Sequence, residues 1–143
     1  MKVIEIKVKD TLLIRKKVLR KGIDLPIQFD GDNDEKSFHL GVFRDDELVG
    51  VASLMKKKNK LINGIQYQLR GMAILEKARG LGVGSFLLEQ CFVQLEKENV
   101  NYLWCNARIS ALEFYMKKGF IKISTPFEIN LIGKHFVLVR KIQ

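Results

Sequence analysis

Apolar residues recur along the chain in two distinct rhythms, and their alternation outlines the fold. Val3, Ile4 and Ile6 stand among Lys2, Glu5 and Lys7, which predicts a first strand over residues 2–8. Asp10 suits a helix N-cap, and Leu12, Leu13, Ile14, Val18 and Leu19 then carry a helix to Gly22. Residues 23–36, with Pro26, Gly31 and clustered Asp and Asn, read as a loop long enough to be suspected of function. Two β-rich segments, 38–43 and 48–54, flank the short acidic turn 44–47 and predict a hairpin. A third, 65–75, follows a basic turn and completes an antiparallel meander.

The period then changes. Phe86, Leu87, Leu88, Cys91, Phe92 and Leu95 recur at helical spacing between Val83 and Glu98. Residues 101–106 read as a strand, and Ser110 with Glu113 has the spacing of a capping box opening a short helix that closes at Gly119. Two last strands, 120–129 and 135–142, form a hairpin. The resulting order is β, α, three β, α, β, α, two β. The strand–helix–strand unit over 65–106 implies a parallel crossover within an otherwise antiparallel sheet, so the class is α+β. With 143 residues, one domain spanning 1–143 is expected.

Composition narrows the function classes. The longest apolar stretches, such as 72–75 and 136–139, are too short to cross a bilayer, and the charged residues interleaved at the N-terminus do not resemble a signal peptide. A cytoplasmic protein that keeps away from membranes is expected. Cys91 and Cys105 fall on apolar stripes without metal-ligand spacing, so both are expected to be buried hydrophobes, and no metal is expected. The net charge of +9 is concentrated in residues 14–22 and 55–60. Such charge attracts nucleic acid, anionic membrane or a phosphate-rich small molecule, and a solvated helix face with a solvated turn is its commonest meaning.

The most specific local signal is Arg79-Gly80-Leu81-Gly82-Val83-Gly84, between a strand and a helix. A glycine-rich turn entering a helix exposes unpaired amides at the positive end of the helix dipole, an arrangement that binds phosphate. A Cβ there would hold a pyrophosphate away from the amides, and Gly84 would let the helix approach the sheet closely. The spacing lacks the Lys-Ser/Thr of a Walker A loop and the G-x-G-x-x-G of a dinucleotide fold.

Arg79, Gly82 and Gly84, placed shortly after Met72-Ala73-Ile74, resemble the pyrophosphate loop of the GNAT acetyltransferase superfamily, Gln/Arg-x-x-Gly-x-Gly/Ala. Downstream, Asn106, Ala111, Phe114-Tyr115 and Lys118-Gly119-Phe120 resemble that family's N…A..FY...GF segment. The matches span about residues 65–120, and the remaining strands agree in order. The resemblance implies a mixed, mostly antiparallel sheet of about seven strands, flanked by helices, with a splayed parallel pair. It implies acetyl-CoA as cosubstrate and an amine as acceptor, the pantetheine arm lying along Met72, Ala73 and Ile74. It further implies that the amides of Arg79, Gly80, Leu81, Gly82, Val83 and Gly84 hold the pyrophosphate, with Asn106 and Phe114 beside the cosubstrate. Tyr115 becomes the candidate catalytic acid, protonating the departing thiolate. A backbone amide at 72–74 would meet the developing oxyanion.

The general base stays open among Glu76, His39, His135 and water. Arg70 could meet an anionic acceptor or cap the sheet, and Trp104 could be core or acceptor wall. Asp30, Asp32, Asp34 and Glu35 could line an acceptor groove, though a solvated turn is the commoner fate of such a cluster. The basic surface would favour capture of a phosphate-bearing cosubstrate and weigh against a polycationic acceptor. Two other classes remain: a non-catalytic acyl-CoA-binding regulatory module, and a nucleic-acid binder using residues such as Arg15, Arg20 and Lys56. The second is less favoured because aromatic residues are not interleaved with the basic ones. The sequence leaves the oligomeric state open, a homodimer among the alternatives.

Overall fold

The apolar segments pair side by side in one sheet, as described by a computed structural model covering residues 1–143. Strand β1 (Lys2–Glu5) leads into helix α1 (Val8–Ile14), after which β2 (Phe38–Arg44), β3 (Glu47–Met55) and β4 (Gln66–Ile74) form the antiparallel meander. Helix α2 (Val83–Lys97) connects β4 to β5 (Tyr102–Arg108), which runs parallel to β4. Helix α3 (Leu112–Lys117), β6 (Ile121–Lys122), β7 (Phe127–Ile129) and β8 (Gly133–Lys141) complete the chain. The sheet order is β1-β2-β3-β4-β5-β8-β6, with β7 also paired to β8. No helix is long and apolar enough to cross a membrane.

Local chemistry moved several boundaries. Asp10 lies inside α1 rather than capping it, and its carboxylate accepts the Lys7 amide at 3.0 Å, so the helix begins at Val8. After Ile14 the helix widens into a π-helical turn over Arg15–Leu19, closed by the Arg20 amide on the Arg15 carbonyl at 3.2 Å. The strand expected over 120–129 is broken. Pro126 has no N–H to offer a ladder, and the Val137 amide turns instead to the Ser124 hydroxyl at 2.8 Å. The break yields β6 and β7 where one strand was expected, so the sheet has eight strands. The capping box does not form. Ser110 sits in a 3₁₀ turn (Ile109–Ala111), α3 starts without a side-chain cap, and Glu113 pairs with Lys117 at 3.1 Å.

The main core lies between α2 and one face of the sheet. Val83, Leu87, Leu88, Cys91, Phe92 and Leu95 pack on residues such as Leu54, Leu69, Leu103 and Leu138. Each such aliphatic side chain contributes roughly 1.5–3 kcal/mol on burial. The opposite face carries a smaller apolar contact of Ile14 with Val51 and Ala73. Beside it, Arg15 is fully buried and bidentate on Asp32, at 2.7 and 2.9 Å. Its remaining donors reach the Ile27 carbonyl and the Ser53 hydroxyl, each at 2.9 Å, while Nε finds no acceptor. Arg15, expected on a solvated basic face, is therefore an internal strut that ties the 23–36 loop to β3.

Candidate functional site

β4 and β5 stay together only briefly. Their parallel register covers Gln66↔Tyr102, Tyr67↔Leu103 and Gln68↔Trp104 and then ends, although both strands continue. β5 remains paired with β8 as far as Arg108↔His135, while β4 follows β3 through an irregularity in register between Val51 and Ser53. Opposite that shift lies Gly71, with φ +60°, a conformation that favours glycine. A Cβ at this position would stand 2.8 Å from the Phe29 ring and 3.1 Å from Arg15 Nε, so space also demands glycine. The bulge bends β4 away from β5. Leu69–Ile74 and Cys105–Arg108 then line a cleft of about 720 Å³. Met72, Ala73 and Ile74 lie along it, as expected for a strand edge with backbone groups released from pairing.

At one end of the cleft the chain turns from β4 into α2. Gly80 and Gly82 have φ of +76° and +78°, and a Cβ on either would meet nothing within 4 Å, so their requirement is conformational. Gly82 is the N-cap of α2 and offers no side-chain cap. The amides of Val83, Gly84 and Ser85 find no acceptor in the chain, leaving the first helical turn free to bind an anion. Arg79 and Gly84 line the cleft, Gly80 and Leu81 are exposed, and the Val83 side chain turns into the core. The Arg79 Nε reaches back to the Ile74 carbonyl at 3.3 Å. Gly84 departs from expectation: a Cβ there would make ordinary contacts of 3.6–3.7 Å with Ile74, Phe114 and Met72. Close helix–sheet approach is therefore not what calls for glycine.

Helix α3 covers the middle of the cleft. Tyr115 packs edge-on against Phe114 at 5.2 Å and Phe120 at 5.3 Å between ring centroids. Its hydroxyl donates to the Met72 thioether sulfur at 3.6 Å, a weak acceptor for a phenol in such surroundings. Burial pushes the phenol well above its ordinary 10, with Cys105 and Cys91 adding to the shift, so it stays protonated. Phe114 and the exposed Asn106 also line the cleft. Cys91 and Cys105 are both free and buried, and burial pushes each thiol up to about 12.

The other end of the cleft is built by residues remote in sequence. Arg20, from the end of the π-helical turn, Phe29, from the long loop, Arg70, from β4, and Arg108, from β5, meet there with His135 of β8. Phe29 lies between guanidiniums, with Arg15 4.0 Å and Arg70 4.5 Å from its centroid. His135 donates from Nδ1 to the Gly133 carbonyl at 2.7 Å, the direction the carbonyl imposes, and in the neutral ring this leaves Nε2 as an acceptor. His39 has no comparable freedom. It is buried between the Ser53 hydroxyl at 2.7 Å and the Asp32 carbonyl at 2.9 Å, outside the cleft lining. Glu76 is exposed in a 3₁₀ turn and borders a separate depression with Lys17, Glu47 and Lys77. Trp104 donates to the Lys57 carbonyl at 3.0 Å and packs with Ile62, Val137 and Val139, which makes it core.

None of the acidic cluster reaches the cleft. Asp32 serves Arg15, Asp30 pairs with Lys57 at 3.2 Å, and Asp34 accepts the Lys36 amide at 2.8 Å. Sequence reasoning did not assign Phe29, Arg20 and Arg108 to the site. No spacing links them, because the loop, the end of the π-helical turn and β5 converge there only in the fold.

Comparison with known proteins identifies relatives in sequence and in fold. A family model described as an acetyltransferase (GNAT) domain matches residues 15–135. The uncharacterized N-acetyltransferase YitI of Bacillus subtilis (strain 168) is 36% identical over 140 residues, covering 96% of this chain and 94% of YitI. Among solved structures, Escherichia coli ElaA superposes with a TM-score of 0.79 at 20% identity, over 97% of this chain and 98% of ElaA. An aminoglycoside 6'-N-acetyltransferase complexed with coenzyme A gives a TM-score of 0.73 at 13% identity, over 100% of this chain and 98% of the other.

Proposed function

The chain belongs to the GNAT acetyltransferase family, and from that premise we propose that it carries the acetyl group of acetyl-CoA to a primary amine by direct attack within a ternary complex. The observation that carries this reading is the splay of β4 and β5 beside the free amides of α2, with a protonated, partly buried phenol between them. The α2 amides and Arg79 would bind the pyrophosphate, and the released edge of Met72, Ala73 and Ile74 would pair with the pantetheine arm, bordered by Asn106 and Phe114. This places donor and acceptor sites at opposite ends of one cleft.

In the reaction the amine nitrogen forms a bond to the thioester carbon, and the C–S bond breaks with its electron pair on sulfur. An ammonium acceptor first gives one proton to a base, and His135 Nε2 is the cleft atom suited to take it. Bulged β4 offers a backbone amide to the carbonyl oxygen as negative charge develops there. Tyr115 donates its hydroxyl proton to the departing sulfur, and the second proton lost by nitrogen replaces it. Its present acceptor, the Met72 sulfur, is weak, so a thiolate would hold that proton far better.

Initial-rate kinetics test the proposal. Thiol release is followed while acetyl-CoA and an amine are varied together. Intersecting double-reciprocal lines are expected, and parallel lines would exclude direct transfer. Tyr115→Phe should lower kcat by about 10²-fold or more while acetyl-CoA still binds. Full activity in that variant would remove Tyr115 from the chemistry.

A further inference from the structure

The acceptor end of the cleft is charged in a way that selects its ligand. No aspartate or glutamate lines the cleft, whereas Arg20, Arg70 and Arg108 do. Arg15, beside them, is paired with Asp32, which offsets its charge in part. The other three have no such partner. Arg70 makes no side-chain hydrogen bond within the protein and rests against the Phe29 ring. Arg108 commits only Nη2, to the Leu19 carbonyl at 3.4 Å. Arg20 commits Nε to the Pro26 carbonyl at 3.0 Å and Nη1 to the same Leu19 carbonyl at 3.3 Å. Arg20 and Arg108 thus converge on one oxygen atom with donors unspent.

Like charges held this close repel. Burial first, then Arg108, Arg70 and Arg15, push the Arg20 guanidinium below its ordinary 12.5; burial followed by Arg15 does the same to Arg70, with Asp32 and Asp30 opposing the shift without reversing it. Guanidinium does not escape by losing its proton near neutral pH, so the repulsion persists until an anion arrives. Several planar donors facing one space match the oxygen geometry of carboxylate and phosphate. A polyamine or another multiply cationic acceptor would meet only repulsion there.

Resting on the reading of the chain as an amine acetyltransferase, we infer that its acceptor is an amine that also carries an oxyanion, carboxylate or phosphate, gripped by Arg70 and Arg108 with Arg20 beside them. Phe29, held from behind by Arg15, forms the apolar wall that sets Arg70 in place. The oxyanion anchors the acceptor at the arginines and leaves its amine free to reach the thioester.

The test compares acceptors that differ only in the anion. The pairs are glutamate with its dimethyl ester, leucine with its methyl ester, and phosphoethanolamine with ethanolamine. Spermidine serves as the polycation, and the leucine and phosphoethanolamine arms separate a carboxylate from a phosphate. In at least one pair, kcat/KM should favour the anionic member by on the order of 10- to 100-fold. Arg70→Gln and Arg108→Gln should reduce that ratio chiefly through KM, with the neutral partner's rate changing far less. A general folding defect would lower both members equally. Coenzyme A binding, measured by calorimetry on the same proteins, separates the two levels of inference. If coenzyme A binds but every ratio is near unity, or spermidine is preferred, or no anionic amine is turned over, the acceptor assignment falls. If coenzyme A does not bind, the acetyltransferase reading falls with it.

Discussion

Replacing Asp32 with alanine should be among the most damaging changes available to this chain, although the residue lies outside the cleft. Asp32 is 4% exposed and Arg15 is 0% exposed, and the two share a bidentate pair at 2.7 and 2.9 Å. Removing the carboxylate leaves a guanidinium in the interior without a counter-charge, where its Nε already lacks an acceptor. Breaking one side of such a pair costs about 3–5 kcal/mol. The Phe29 amide, which donates to the same carboxylate at 2.7 Å, also loses its partner. Against a total stability of roughly 5–15 kcal/mol, and at about 4 °C per kcal/mol for a chain of this size, Tm should fall by about 12–20 °C. Urea unfolding followed by tryptophan fluorescence would measure the loss. The double variant Arg15→Met/Asp32→Leu should recover about half of it or more, since an apolar replacement removes the stranded charge. Burial alone would raise the Asp32 pKa, but the hydrogen bonds from Arg15 and Phe29, with the charges of Arg15 and His39, together hold it below 3.8. The stabilisation is therefore fully present above about pH 4 and is lost as pH falls through the lower folded-state value. The alanine variant should lose this part of the acid sensitivity. A loss below about 1 kcal/mol, or a double variant as unstable as the single one, would refute the stranded-charge argument.

Gly82→Ala forces a side chain onto φ +78° and should cost about 1–2 kcal/mol in stability, read as a lower Tm. Gly84→Ala should do the reverse, gaining up to about 1 kcal/mol in helix propensity while weakening coenzyme A binding in calorimetry, because its Cβ would project among Ile74, Phe114 and Met72 in the cleft. Cys91 and Cys105, buried and shifted to about 12, should resist a thiol-specific disulfide reagent at pH 8 until denaturant is added, and rapid labelling of the folded protein would contradict their placement.

The glycine-turn end of the cleft was legible in the sequence because its signals are local. Arg79, Gly82 and Gly84 lie within one short stretch, and a positive φ calls for glycine at Gly80 and Gly82, so a short motif suffices to place a helix N-terminus shortly after β4. The aromatic pair Phe114-Tyr115 is likewise confined to a single short helix. The meander and the α2 stripe followed from periodicity, since each buries one face against the same core. The failures were also local in origin. Pro126 divided the penultimate strand, and Asp10 capped an amide three residues before it instead of the next turn.

The arginine-lined end was not legible, for the complementary reason. Arg15 and Arg20 stand five positions apart in one basic block, yet one is buried on Asp32 and the other opens onto the cleft. The widened turn between Arg15 and Leu19 separates their fates, and a composition window cannot register it. Net charge counts both residues equally, whereas the ligand meets only charges left without partners. Arg15 is paired with Asp32, whereas Arg20, Arg70 and Arg108, contributed by three segments distant along the chain, carry unpaired charge at this end of the cleft. A positive total of +9 thus says little by itself about the acceptor. Removing the neutral Arg15–Asp32 pair leaves that total unchanged; the informative quantity is the local charge that Arg20, Arg70 and Arg108 bring to one end of the cleft, which supports the proposed anion beside the amine.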